Sequence, residues 1–280
     1  MERKRVYITV KTYPTISGKY AELVCTAGML EDGSWVRLYP IPFRKLDFER
    51  KYKKYSWVEL DVEKNISDSR IESYRPLNLD KMTIIEEPKL NNRKIDWEYR
   101  KKIVLGNKKI YTNMEELVSK AKNATVSLAV FKPTKITDFV IEETAREWDK
   151  NKLKLLEAEA NQLKLFQTPE EAKREFSVVD KVPYKFSYKI EDDTGKASRM
   201  MIEDWEIGML YFNCLRRADN DEKAAVEKVR QKYMDEFTQK DLYLFLGTTK
   251  QFHYVAPNPF VIVGVFYPPK EPIIKQMTLF

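Results

Sequence analysis

The chain has 280 residues, of which 43% are hydrophobic, so it can form one large domain or two small ones with a proper core. Its formal net charge of +7 is a moderate excess that suits a polyanionic partner without requiring one. Two cysteines and one histidine are too few for a disulfide framework or for a structural zinc site, which needs about four ligands.

The hydropathy of the sequence predicts a cytoplasmic protein. Residues 1–5 are mostly charged and lead directly into a strand, without the apolar region of a signal peptide. No run approaches the roughly 20 apolar residues of a membrane span. Cys25 and Cys214 are expected to act as small apolar side chains in a reducing compartment.

The first half of the sequence is predicted to consist of strands with two short helices. A turn at 31–33 predicts a hairpin between strands at 19–28 and 35–44, and period-two alternation predicts a strand at 57–62. The remaining predicted elements are strands at 6–10, 127–131 and 136–141, an irregular strand and turn at 70–79, and helices at 96–102 and 113–122.

The second half follows a charged helical stretch at 145–166, which has no single apolar face and is predicted to be an exposed helix or an insertion. A further short helix is predicted from Thr168. The later predicted elements are strands at 184–190, 199–202, 242–246 and 260–267, and helices at 205–215 and 219–237. Asp204 is expected to cap the first of these helices.

This order of elements predicts an α+β fold, with two small β-barrel halves joined and covered by helices. The predicted organisation is an N-terminal β-rich domain at 1–140, a helical connector at 141–182, a C-terminal α+β domain at 183–270 and an exposed tail at 271–280.

The hairpin at 19–44 carries arginines and aromatic residues, a combination typical of small sheets that hold a nucleic acid strand. His253 lies in a polar loop between two apolar strands, where functional residues are common, although a single histidine can equally be an ordinary surface residue. The candidate substrate-binding residues are Tyr20, Trp35, Arg37, Tyr39, Arg44 and His253.

Glu22 is the first candidate for a catalytic carboxylate. In a pocket lined by aromatic rings, partial desolvation would raise the pKa of Glu22 and suit it for general acid or base catalysis. The alternative is a solvated strand residue, or an ion pair with Lys19 or Arg37.

Asn220 and Asp219 are the second catalytic candidates, as groups that orient a water molecule or a base edge. The alternative is structural, because acidic residues at a helix N-terminus cap free N–H groups and favour the helix dipole.

The last residues, Gln276 to Phe280, follow three prolines and are expected to form a stiff, exposed tail. The Gln-x-x-Leu-Phe pattern resembles the peptide by which bacterial replication and repair proteins bind the sliding clamp. Gln162 to Phe166 also fits it, which shows how common the pattern is, and the alternative is a tail that docks on its own domain. The candidate partner-binding residues are Gln276, Met277, Leu279 and Phe280.

The segments at 19–28 and 33–40 resemble a family of bacterial and mobile-element proteins, as do those at 184–205 and 242–269. The resemblance implies paired OB-like barrels. The chain is also similar to phage-defence DNA glycosylases that remove glucosylated cytosine. This similarity implies a flipped base, a carboxylate that assists hydrolysis of the N-glycosidic bond, and no metal or other cofactor.

Three hypotheses follow from the sequence. The first is a glycosylase for modified bases in DNA, the second is a non-catalytic reader of nucleic acid, and the third is an adaptor that binds the clamp or another protein. A metal-dependent nuclease is less favoured, since the acidic residues at 59–61 form too general a pattern to indicate a metal site.

Overall fold

The computed structural model describes residues 1–16, 23–106, 108–151, 153–154 and 178–271. In chain order the strands are β1 (Glu2–Lys11), β2 (Val24–Met29), β3 (Trp35–Ile41), β4 (Trp57–Lys64), β5 (Ser73–Pro76), β6 (Thr83–Glu86), β7 (Leu90–Asn91), β8 (Lys94–Ile95), β9 (Ile110–Tyr111), β10 (Leu128–Phe131), β11 (Lys135–Glu143), β12 (Tyr184–Glu191), β13 (Ala197–Met201), β14 (Tyr243–Thr248) and β15 (Phe260–Phe266). The α-helices of the described ranges are α1 (Trp97–Leu105), α2 (Met114–Lys122), α3 (Trp205–Arg217) and α4 (Glu222–Arg230).

The first unit of the fold is a closed five-stranded barrel. Strand β1 pairs with both β2 and β4, β2 pairs with β3, and β5 lies between β3 and β4. The β3–β5 pair is parallel and the other four are antiparallel. This order, 1-2-3-5-4-1, is that of an OB-fold, so the predicted α+β fold with an OB-like barrel is confirmed.

Alternation of side chains along the strands fills the barrel. On β3, Val36 and Leu38 point inward, while Trp35 and Arg37 point outward. Val58 and Leu60 on β4 continue the same interior. The period-two pattern that identified these strands in the sequence is therefore the pattern that separates the inside of the barrel from its outer face.

The second unit contains two sheets and helices. One sheet has the order β15-β14-β10-β9 and the other the order β11-β12-β13. Residues 127–131, which the sequence analysis assigned to the N-terminal domain, form β10 and pair with β14. Helices α2, α3 and α4 pack on these sheets, and a single core joins Leu117, Tyr211 and Val229.

The outer face of the barrel is buried against the second unit. Tyr7 on β1 and Met29 on β2 share one apolar cluster with Phe245 and Phe266. Trp35 meets Phe245 edge-on, with ring centroids 5.8 Å apart. The faces of β1, β2 and β3 that point outward therefore form an interface between the two units.

The predicted helix at 219–237 begins later in the structure. Asp219 and Asn220 have φ values of 49° and 67°, so they form a left-handed turn after α3. Asp221 caps α4 by accepting a hydrogen bond from Ala224 N at 3.1 Å. The helix then continues as a π-helical turn at Gln231–Glu236 and a short 3-10 turn at Phe237–Gln239.

Most of the predicted helical stretch at 145–166, and the helix predicted from Thr168, lie outside the described residues. Among the helices that the structure describes, none has the length and apolar character needed to cross a membrane.

We expect Gly28→Ala to destabilise the protein by about 1–3 kcal/mol, because β1 and β2 approach too closely there for a side chain. A Cβ atom at Gly28 would lie against the Tyr7 carbonyl oxygen and 2.6 Å from Val6 Cγ1. The free energy of unfolding from urea denaturation measures the effect.

Gly195→Ala is the matched control. Gly195 lies in an exposed turn with a φ of 78° and no atom within 4 Å of its Cβ position, so alanine there costs only the left-handed backbone, about 1–2 kcal/mol. An unfolding free energy for Gly28→Ala equal to that of the wild type would contradict the close approach.

Candidate functional site

Two groups of polar side chains are buried where the barrel meets the second unit. The arginine cluster consists of Arg37, Asp68, Arg70, Glu72, Ser127, Thr248 and His253. The lysine cluster consists of Lys11, Lys54, Asp204 and Glu206. Buried charges are unusual unless they are paired, so each cluster needs a physical account.

Arg37 ties the barrel to β10. It is 3% exposed, because its position on the outer face of β3 places it beneath the second unit. Its Nη2 donates to the carbonyl and hydroxyl oxygens of Ser127 at 3.1 and 3.2 Å, and Thr248 N donates to the same carbonyl at 3.0 Å. The Glu72 carboxylate accepts from Ser127 N at 2.8 Å. The start of β10 is thus held by two residues of the barrel.

Asp68 and Arg70 lie in the loop between β4 and β5, at 65–72. Arg70 donates to both Asp68 oxygens, at 2.8 and 2.6 Å, and its Nη1 donates to the Thr248 carbonyl. Burial alone would raise the pKa of Asp68, but the hydrogen bonds from Arg70 and Ser73 outweigh it and hold this pKa well below its usual range. The pair is therefore ionised and attaches this loop to β14.

His253 completes the arginine cluster from the loop between β14 and β15. Its Nδ1 is 2.8 Å from Thr248 Oγ1, whereas its Nε2 is buried without a hydrogen-bond partner in the described part of the chain. Burial, and then the positive charge of Arg70, lower the pKa of His253. The imidazole is therefore neutral near pH 7 and has one nitrogen free to bind a ligand or water.

The loops at 65–72 and between β14 and β15 carry exposed apolar side chains, and we call these side chains the rim. Ile66 is 90% and Val255 is 74% exposed. Tyr254 joins the two loops through a contact of 3.2 Å between its hydroxyl and Ser69 Oγ. The rim consists of Ile66, Ile71, Phe252, Tyr254 and Val255.

The lysine cluster is built around a buried ion pair. Lys54 Nζ is 3.1 Å from Asp204 Oδ2 and 2.9 Å from Glu206 Oε2. Asp204 is completely buried and caps α3, accepting from Glu206 N at 3.2 Å. Burial alone would lower the pKa of Lys54, but the two carboxylates raise it. Burial raises the pKa of Asp204, the charge of Lys54 opposes this rise, and Glu206 adds to it.

Lys11 lies beside this ion pair in a box of aromatic rings. Its Nζ is 4.3 Å from the centroid of Phe43, 5.6 Å from Trp205 and 5.8 Å from Tyr52, and it donates to the Tyr52 carbonyl at 3.3 Å. Within the described ranges Lys11 forms no ion pair. Burial, and then the charge of Lys54, lower the pKa of Lys11 to about 8.

The two clusters lie on opposite faces of β2. Cys25 Sγ is 3.5 Å from Arg37 Nη1, and the hydroxyl of the next residue, Thr26, is 2.6 Å from the Tyr52 hydroxyl. Adjacent residues of a strand point to opposite faces, so β2 separates the clusters.

The structure brings two predicted substrate-binding residues, Arg37 and His253, into one cluster. Trp35 packs in the interface, Tyr39 is half-buried, and Arg44 is exposed in a short helical turn at Phe43–Lys45. The predicted site residues outside the described ranges are Tyr20, Glu22, Gln276, Met277, Leu279 and Phe280. Clamp binding by the tail therefore stays a prediction.

Asp219 and Asn220 are exposed in the turn between α3 and α4. Asn220 N donates to the Leu215 carbonyl at 3.0 Å, a bond that closes the end of α3. No contact of the described residues joins either side chain to the two clusters.

The comparisons with known proteins divide the chain between α1 and β9. Residues 2–106 match the family model described as domain of unknown function DUF8758, and residues 110–280 match the one described as domain of unknown function DUF8757. The second match covers more than half of the sequence. The chain belongs to the DUF8757 family. No curated protein matches it.

One solved structure that resembles this DUF8757 member is titled "Structure of murine DNA binding protein bound with ds DNA". Its sequence is 10% identical, the alignment covers 97% of this chain and 98% of the murine one, and the TM-score is 0.30. A score this low supports no argument about fold or function.

Sequence reasoning missed most charged residues of the two clusters in this DUF8757 protein. Nothing in the sequence distinguishes Lys11 and Lys54 from the other lysines and arginines, of which the chain has 50 in total. Asp204 was recognised as a helix cap, which is one of its two roles. In the described part, no group of three or more His, Cys, Asp or Glu side chains is placed to hold a metal ion.

We expect acidification to destabilise the protein partly through His253. Because its pKa is lowered in the folded state, the unfolded state binds a proton more readily below the ordinary pKa of about 6.5, so stability falls as the pH falls below that value. The slope from this one group is at most about 1.4 kcal/mol per pH unit.

The measurement compares unfolding free energies of wild type and His253→Asn at about pH 7.5 and 5.5, since Asn keeps a group near the Nδ1 position but does not titrate. The wild type should lose more stability between the two pH values than the variant does. Equal losses would show that His253 is protonated as easily in the folded state as in the unfolded state.

Proposed function

We propose that this protein binds nucleic acid through the rim. The observation that supports this function is the position of the rim on an OB-like barrel. Loop 65–72 connects β4 to β5, and in OB-folds this connection is one of the loops that contact oligonucleotides. The loop between β14 and β15 extends the same surface from the second unit.

The charges around the rim favour a polyanion. Lys64 and Lys250 are exposed there, and the sequence has no acidic residue between Asp241 and Glu271. The carboxylates of loop 65–72 are already engaged, Asp68 with Arg70 and Glu72 with the backbone of β10. Phosphates that approach the rim therefore meet ammonium groups without an exposed carboxylate on either loop.

The aromatic side chains of the rim suit unpaired bases. Phe252 is 48% and Tyr254 is 49% exposed, and rings at such positions can stack on bases of any sequence. The buried ring of His253 packs edge-on against Tyr254, with centroids 4.5 Å apart, and so supports this ring from below. This arrangement favours single-stranded or flipped nucleotides over an intact duplex.

The reaction that we propose for the bound DNA is excision of a modified base. The similarity to phage-defence DNA glycosylases that the sequence suggests supports it. Glu22 is the proposed carboxylate, which would activate water or stabilise the positive charge on the sugar. It immediately precedes Leu23, whose backbone pairs with Thr15 at 3.1 Å, and the same connection leaves β1 at Lys11 in the lysine cluster.

We expect Phe252→Ala and Tyr254→Ala to weaken binding of a single-stranded oligonucleotide by about 1–3 kcal/mol each, the usual value of one stacked base. Fluorescence anisotropy measures the dissociation constant, which should also rise steeply with salt as counterions are released. Phe48→Ala is the control, because Phe48 is 91% exposed in a different loop of the barrel.

Equal losses for Phe48→Ala would show that exposed aromatic residues contribute without regard to their position, and would contradict a site at the rim. No binding of single-stranded or duplex DNA at low salt would contradict the proposed function as a whole.

Excision is tested separately from binding. The wild type is incubated with modified and unmodified DNA and then heated in alkali, which cuts the strand at abasic sites. Glu22→Gln keeps the shape of the side chain but removes its charge, so it should still bind DNA and should form abasic sites at least about 100-fold more slowly.

Unchanged excision by Glu22→Gln would eliminate Glu22 as the catalytic carboxylate. DNA binding by the wild type without abasic sites on any modified substrate would leave the non-catalytic reader as the function.

A further inference from the structure

We propose that Lys11 is a nucleophilic amine that forms an imine with an aldehyde, namely the ring-opened sugar of an abasic site. This inference rests on the proposed function, since base excision would produce that aldehyde. The argument begins from the surroundings of Lys11 at the end of β1.

The surroundings of Lys11 favour the neutral amine. Three aromatic rings and the backbone of Tyr52 surround its Nζ, and none of these groups carries a negative charge. The charged groups that face it from the packed elements of the described structure are Lys54, Asp204 and Glu206. Lys54 already occupies both carboxylates, so its positive charge still opposes protonation of Lys11.

These conditions are those that turn lysine into a nucleophile, namely an apolar environment and a second cation nearby. With a pKa of about 8, about one Lys11 side chain in ten is neutral at pH 7, far more than for an ordinary lysine. Lys54 cannot take this role, because it is buried, ion-paired and held in its charged form. Lys11 is half-buried and thus still reachable from solvent.

The step that we propose is balanced without a co-reactant. The lone pair of neutral Nζ attacks the C1′ carbonyl carbon, and a C–N bond forms. The carbonyl oxygen then leaves as water with the two amine protons, and a C=N bond remains. The carboxyl groups beside Lys54 provide sites that can accept and return a proton during this exchange.

The test uses an oligonucleotide that already contains one abasic site, so that it does not depend on excision. The full chain is mixed with this DNA and borohydride, which reduces an imine to a stable secondary amine. A covalent adduct is expected on a denaturing gel, mapped to Lys11 by mass spectrometry. Its rate of formation should rise with pH around a midpoint of about 8, the pKa of Lys11.

The variants are Lys11→Arg, which keeps the charge within the aromatic box, and Lys11→Met, which fills it without an amine. Each should reduce the adduct at least tenfold while melting close to the wild-type temperature. Lys108→Arg is the matched control. Burial also lowers the pKa of Lys108 to about 8, but it has no aromatic box and donates to the Gly33 carbonyl at 2.7 Å.

No adduct from the wild type, or an adduct that persists in Lys11→Arg, would overturn the role of Lys11. Neither result bears on excision, which the alkali assay measures on its own. Loss of the adduct in Lys108→Arg to the same extent as in Lys11→Arg would also overturn it, because the loss would then not depend on the amine of Lys11.

Discussion

The second unit packs over the outer face of the barrel, and this contact fixes how the two parts of the molecule are arranged. Tyr7, Phe245 and Phe266 are each completely buried in that contact. A fully buried side chain of this size contributes about 1.5–3 kcal/mol, so the interface has the character of a core. The two units are therefore held in one arrangement, and the charged groups that this contact buries need partners within the interface.

The two clusters provide partners for the buried charges in different ways. Arg37 is satisfied mainly by the backbone and hydroxyl of Ser127, whereas Lys54 is satisfied by two carboxylates. Ion pairs of this kind add little net stability against an apolar alternative, but removing one partner is costly, so they favour a single register between the units. The clusters differ in what stays unpaired among the described residues: in one it is the Nε2 atom of His253, and in the other it is the Lys11 ammonium, which forms no ion pair.

The interface also decides where a ligand can bind. OB-folds commonly bind strands on the face formed by β2 and β3, but here the second unit covers that face. The connections at the two ends of the barrel remain. One of them, loop 65–72, meets the β14–β15 loop at the rim, and the other leaves β1 at Lys11. The surface proposed for recognition and the group proposed for chemistry therefore lie on different sides of β2.

The amino-acid sequence was sufficient to predict the strands of the barrel and the helices near residues 97 and 114, because period-two alternation and cap residues are local signals. It also indicated Asp204 as a helix cap and His253 as a loop histidine. It did not predict that residues 127–131 pair with β14, because the residues of a strand do not indicate which strand more than 100 positions away it pairs with.

The residues of the two clusters are brought together by tertiary packing, and no local pattern in the sequence predicts them. Lys11 and Lys54 resemble any other lysine in a lysine-rich sequence, and Arg37 resembles an exposed strand arginine. Whether such a side chain is solvated or buried depends on what packs over it. Arg37 contacts Ser127, which is 90 positions away along the chain, and Lys54 contacts Asp204, which is 150 positions away. The sequence specifies which side chains can carry a charge. The low dielectric that shifts the pKa of a buried group exists only after the two units have packed together.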